Sequence, residues 1–245
     1  MVESARRRGG TRRRGAGRFA AAVAFCAVLL VAASLAVGAF LPSDLRMVWW
    51  HPEILVATAW TPVAAVLLRH RPRLTVGWLM LGAGFTAAVY VLTLNLAPWA
   101  ELHDRPGAGF LGWLSTWLWA VDTYVLTLVF PLLFPDGRLV SRWFRPVLAL
   151  ALLVPVIVCV HLTIDPDVRE WHNGVSVYPF GGIPVAITVI ILGTLAAALC
   201  SIVVRFVKSP PDVRRQIAWV VYPGLVAIAV VYAGENTMIG DPVRN

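Results

Sequence analysis

The chain has 245 residues, of which 59% are hydrophobic and only 14% charged, against about 25% charged in an ordinary soluble domain. With a mean hydropathy of +0.75 it cannot furnish the polar shell of a soluble enzyme, a coiled coil or a disordered protein, and it reads as one integral membrane domain. The formal charge of +8, which in a soluble protein would suggest nucleic acid, is read here as a topology signal, with no nucleic-acid partner.

The first 18 residues are rich in Arg and Gly and are expected to form a basic, disordered cytosolic arm near anionic head groups. A transmembrane helical domain is expected over 19–238, with a short tail at 239–245. Within it seven apolar stretches approach the ~20 residues a bilayer core requires of a helix: 19–41, 49–68, 76–97, 109–134, 146–163, 184–205 and 216–234. The fold class is therefore all-α, a polytopic bundle of about seven transmembrane helices. The first stretch exceeds the 7–15 apolar residues of a signal-peptide core and is followed by further spans, so it is read as a membrane helix.

With the N-terminus placed in the cytoplasm, the inner segments carry 17 Lys and Arg and the outer segments 4. The bias holds at every loop and puts the C-terminus outside the cell membrane. Seven of the tryptophans, among them Trp49, Trp78, Trp113, Trp143 and Trp219, fall at span ends, where an indole anchors at the head-group level. Pro62, Pro131, Pro155 and Pro223 lie inside spans and are expected to kink them. Gly82, Gly84 and the small pairs Ser34–Gly38 and Gly193–Ala197 are candidates for close helix contact.

Asp122 is the acidic residue read as lying near the middle of a span. Ionised, it would cost about 2.5–3.5 kcal/mol, so it is expected to face other helices in its neutral form. It is the candidate intramembrane polar site, either an interhelical hydrogen bond that fixes packing or a ligand or proton site. Cys26, Cys159 and Cys200 lie in apolar stretches without metal-ligand spacing, as expected of packing residues. No HExxH, P-loop, GxSxG or GxGxxG signature is present. No catalytic, cofactor-binding or metal-binding residue is therefore assigned, and no cofactor is expected. The ELHD tetrapeptide at Glu101–Asp104 has the look of a histidine phosphoacceptor box. With Pro98 before it and Arg105-Pro106-Gly107 after it, no amphipathic helix of useful length is expected around it, and it is read as coincidence.

Three segments are more distinctive. They are Leu133-Phe134-Pro135-Asp136-Gly137-Arg138-Leu139 continuing to Val147, the stretch RPRLTVGWLMLGAGF at 71–85, and the stretch from Ser201 through Arg205-Phe206 to Trp219. Together they resemble the N-terminal membrane regions of actinobacterial sensor histidine kinases, which carry an LFPDGR turn, an NPIGWLL helix start and a VVRF…RQQLKWL segment. The likeness covers roughly residues 50–235. Leu74-Thr75-Val76 stands where the family has Asn-Pro-Ile, and Ile217-Ala218 where it has Leu-Lys. The resemblance implies a non-catalytic sensory or input module of two-component systems. Its partners would be the lipid bilayer and either a second copy or a kinase or response regulator. The alternative is a small transporter or channel-like protein. The kinase relatives continue into a dimerising helix pair and an ATP-binding domain, so this chain is expected to be a truncated product, a fragment or a stand-alone relative. Pro135, Asp136, Gly137 and Arg138 form the candidate cytosolic signalling or interfacial turn. Pro and Gly suit a tight turn, and Arg138 can meet phosphate head groups.

Overall fold

The computed structural model describes residues 2–47, 51–164 and 184–219, with side chains from Gly15 onward. All regular structure among them is helical. The helices are α1 (Val2–Gly38), α2 (Pro52–His70), α3 (Thr75–Leu102), α4 (Ala108–Leu133), α5 (Arg145–Ile164), α6 (Val185–Lys208) and a short α7 (211–219). The Arg-rich stretch at the start of the chain, expected as an arm, runs as helix into the apolar part of α1. Six helices, α1 to α6, are long and apolar enough to cross a bilayer, and the protein is a multi-pass membrane bundle. The seventh stretch expected at 216–234 lies outside the described residues beyond Trp219, as do Pro223 and the tail.

α3 and α4 form the centre. About half of their most apolar segments is buried, 56% and 50%, against 22–28% for the other four spans. The outer helices turn large apolar side chains outward, as lipid contact requires: Phe25 and Leu29 on α1, Leu152 and Val156 on α5, Val189 and Val203 on α6. One half of the core gathers α1, α2 and α3 around Ala27, Val31, Ala57, Ala87 and Val91. The other gathers α4, α5 and α6 around Leu128, Leu132, Val154, Val158 and Ala198.

α1 docks on its neighbours through Gly17, Ala20, Ala24, Ala27, Val31, Ser34 and Gly38, all buried. The steps of three and four residues keep one face of the helix against the bundle. Side chains this small let the backbones close up. At its end, Ser34 Oγ donates to the Val91 carbonyl at 2.6 Å, and a Cβ on Gly38 would lie 2.9 Å from the Asn95 amide nitrogen. The Ser34–Gly38 pair is thus a packing contact. Gly193 differs, having open space where a Cβ would go. Gly84 and Gly82 divide in the same way: a Cβ on Gly84 would lie 2.5 Å from Thr61 Cγ2, while Gly82 has nothing within 4 Å.

Two of the intramembrane prolines, Pro62 and Pro131, share one device. α2 widens into a π-bulge at Val56–Trp60 and α4 into another at Val125–Val129. Each bulge ends just before a proline, Pro62 or Pro131. A proline has no N–H to donate and its ring presses on the carbonyl four residues back. An extra residue in the turn relieves both problems. In both helices that fourth residue back is a threonine. Thr58 donates to the Ile54 carbonyl and Thr127 to the Thr123 carbonyl. Trp60 and Phe130, at the ends of the two bulges, pack ring to ring at 5.4 Å. Pro155 sits buried within α5 without a bulge.

Candidate functional site

The basic loops lie at one end of the bundle, where α2 leads into α3, α4 into α5, and α6 ends. The three segments that carry the family resemblance meet there. The turn after α4 is closed by the Gly137 N–H donating to the Leu133 carbonyl at 2.7 Å, and the Phe134–Pro135 peptide is cis. Gly137 has φ +74°, a left-handed conformation that favours glycine. A Cβ there would lie 2.9 Å from Thr75 Cβ and 3.0 Å from Thr75 Oγ1, so the turn rests on the first residue of α3.

Arg205, near the end of α6, closes the junction from the other side. Its guanidinium donates to the carbonyls of Leu132, at 3.4 Å, and of Arg138. It also lies 3.8 Å from the Asp136 carboxylate. Arg205 is only 7% exposed. A planar, multi-donor guanidinium suits two carbonyls, one at the end of α4 and one in the turn that follows, better than an ammonium would. Of the residues expected in the turn, Gly137 provides the close approach, Arg138 the accepting carbonyl and Asp136 a loose ion pair, with its own side chain 67% exposed. In the sequence Arg205 is a topology charge and part of the third resemblance segment, with no contact assigned to it. Its place at the end of an apolar run gives no hint of where the guanidinium points.

A second polar layer lies higher in the bundle, toward the opposite end. Asp122 is 1% exposed and faces the bundle, as expected, and its Oδ1 has no hydrogen-bond partner among the described residues. It does not stand alone. Glu53, in the first turn of α2, acts electrostatically on both Asp122 and Tyr90. Its carboxylate pairs with the His51 imidazole. His51 packs edge-on against the Tyr90 ring at 5.9 Å. The side chains of His51 and Glu53 are 24% and 15% exposed, so the layer runs from a partly open rim to a closed acid. The sequence reading missed Glu53 and His51. The signal was an acid and an imidazole, His51-Pro52-Glu53, at the entry of an apolar run.

Above this layer Asn95 ties α3 to α1 and to the segment leading into α2. It donates to the Ser34 carbonyl and Oγ, both at 3.0 Å, and accepts from the Met47 N–H at 3.0 Å. Cys26 and Cys200 point out of the bundle, while Cys159 is half-buried with its thiol on the Trp117 carbonyl at 3.7 Å. No group of three or more His, Cys, Asp or Glu side chains among the described residues is placed to hold a metal. His103 of the ELHD tetrapeptide is exposed on a turn, its ring stacked on Trp99 at 4.6 Å.

No family model, curated protein or solved structure matches the chain.

Proposed function

We propose that the protein is a non-catalytic membrane input module of the two-component type, with its basic end in the cytoplasm. One observation carries this reading. The three segments that resemble histidine-kinase membrane regions, far apart in sequence, come together at the Thr75–Gly137–Arg205 junction. A signalling bundle needs two alternative packings of its helices and a contact that reports which is occupied. The facing π-bulges supply irregular turns inside the span, and π-bulges recur at functional sites. The Arg205 clamp is the contact that would report. The 17-to-4 charge bias supports the orientation.

The test is output. Joined through one further membrane span to the dimerisation and catalytic core of a histidine kinase, the chain should set the autophosphorylation rate in membrane vesicles. Arg205→Ala should change that rate, and Arg105→Ala, at the opposite end, should not. Equal rates in all three would refute the input role.

The second reading, a small transporter or channel, is favoured by the His51–Glu53–Tyr90–Asp122 layer. Ionisable groups inside a membrane bundle mark ion or proton pathways. Proton or cation flux in proteoliposomes, abolished by Asp122→Asn, would put this reading first.

A further inference from the structure

The loop between α4 and α5 is held where it lies. Leu133 and Arg145 anchor its ends to two spans, Arg205 and Thr75 pin its first half, and Ser141 Oγ caps the 3₁₀ turn Arg142–Phe144 by accepting from the Trp143 N–H. A segment tethered at both ends to membrane helices cannot leave the bilayer surface. Its side chains match that surface. Arg138, Arg142 and Arg145 are exposed and have no acidic partner within 4 Å among the described residues. The sequence has no acidic residue from 137 to 164. Between the arginines Trp143 stands out, 78% exposed, with the Arg142 guanidinium 5.8 Å from its ring centre. The next residue, Phe144, packs inward on the core. The Gly137–Thr75 contact brings the 71–74 loop alongside, with Arg71 and Arg73 also exposed.

We propose that residues 138–145 form a binding surface for anionic phospholipid head groups. Arg138, Arg142 and Arg145 would take the phosphate oxygens, and the Trp143 indole would seat among the glycerol and upper acyl carbons. Arginine's fork of N–H donors matches phosphate geometry. An indole settles at this depth because it has an apolar body and a single donor. Arg138 belongs to the turn that Arg205 clamps, so head-group binding and the clamp share one short segment. The proposal needs the membrane fold and not the input-module reading, and either can fail alone.

The full chain in nanodiscs is irradiated with photoreactive phosphatidylglycerol or with the matching photoreactive phosphatidylcholine. Adducts are then mapped by peptide mass spectrometry. Phosphatidylglycerol adducts are expected on 138–145 in clear excess over phosphatidylcholine. Each Arg→Gln change should weaken binding about fivefold, and the triple variant on the order of a hundredfold. Trp143→Ser should lower the yield with the arginines intact. Arg142→Gln alone, on the exposed turn, serves if the triple variant does not fold. Equal yields from the two lipids, or adducts confined to other loops, would overturn the proposal. Competition by free glycerol phosphate as effective as that by the lipid would overturn the lipid assignment in favour of a soluble phosphate site.

Discussion

Gly84 on α3 faces the π-bulge of α2. A Cβ there would meet Thr61 Cγ2 at 2.5 Å and the Val56 carbonyl oxygen at 3.1 Å. Neither neighbour yields cheaply. Val56 contributes backbone, and Thr61 is β-branched and held by its Oγ1, which donates to the Ala57 carbonyl. Overpacking of this kind costs about 1–3 kcal/mol. Gly82, two residues away on the same helix, has open space around it, so Gly82→Ala carries the same change in helix propensity without the clash. The difference between the two alanine variants isolates the contact. Gly84→Ala should be less stable than Gly82→Ala by about 1–3 kcal/mol, read by thermal or SDS unfolding of the micellar protein. Thr61→Ser removes Cγ2 and keeps the hydroxyl, so it should recover part of the loss. The coupling in that double-mutant cycle should exceed about 0.5 kcal/mol. Equal stabilities for the two alanine variants, or no coupling to Thr61, would refute the close approach of α3 to the bulge.

Gly137→Ala meets both a left-handed backbone and the Thr75 side chain, and should cost about 2 kcal/mol or more. Gly107→Ala, with φ +95° in open space, should cost only about 1–2 kcal/mol in the same unfolding assay. Arg205→Ala strips a donor from the carbonyls of Leu132 and Arg138 and should lower stability by about 1.5–3 kcal/mol, with Arg205→Lys recovering less than half. Asp122→Leu should hold or raise the unfolding temperature, because it removes a buried oxygen that has no hydrogen-bond partner among the described residues. A loss above about 2 kcal/mol would mean that the carboxyl is satisfied. Asn95→Leu removes three hydrogen bonds that tie α1 and the α2 approach to α3. It should cost about 2 kcal/mol or more, with protease sensitivity rising around residues 41–47.

The spans were legible because a bilayer demands long apolar runs with breakers between them, and 52–70, 75–102 and 108–133 fall within a few residues of the stretches read from composition. Asp122 could be assigned to the interior because a lipid-facing acid is costly. The site around it was not legible. Glu53 and Asp122 lie on different helices, and no periodicity within α2 or α4 encodes their approach. Arg205 illustrates the same limit. Counted as one more positive charge, it is in fact buried against carbonyls that a turn 67 residues earlier leaves open. The π-bulges were hidden for another reason: a proline inside a span signals disturbance, and the form it takes depends on the neighbour that packs against it. Among the glycines, spacing alone could not separate Gly84 from Gly82, or Gly38 from Gly193, because contact depends on the direction each face takes in the bundle.

The proposed function requires the Thr75–Gly137–Arg205 junction of the membrane bundle to lie on the cytoplasmic side. A membrane-impermeant maleimide tests it in a variant lacking Cys26, Cys159 and Cys200. Single cysteines replace Asp136, exposed at the junction, or Asp104, exposed on the loop at the opposite end. In intact cells Asp104→Cys should label and Asp136→Cys should stay unmodified, and in inverted vesicles the pattern should reverse. Strong labelling of Asp136→Cys from outside intact cells would place the junction on the outer side and refute the proposed orientation.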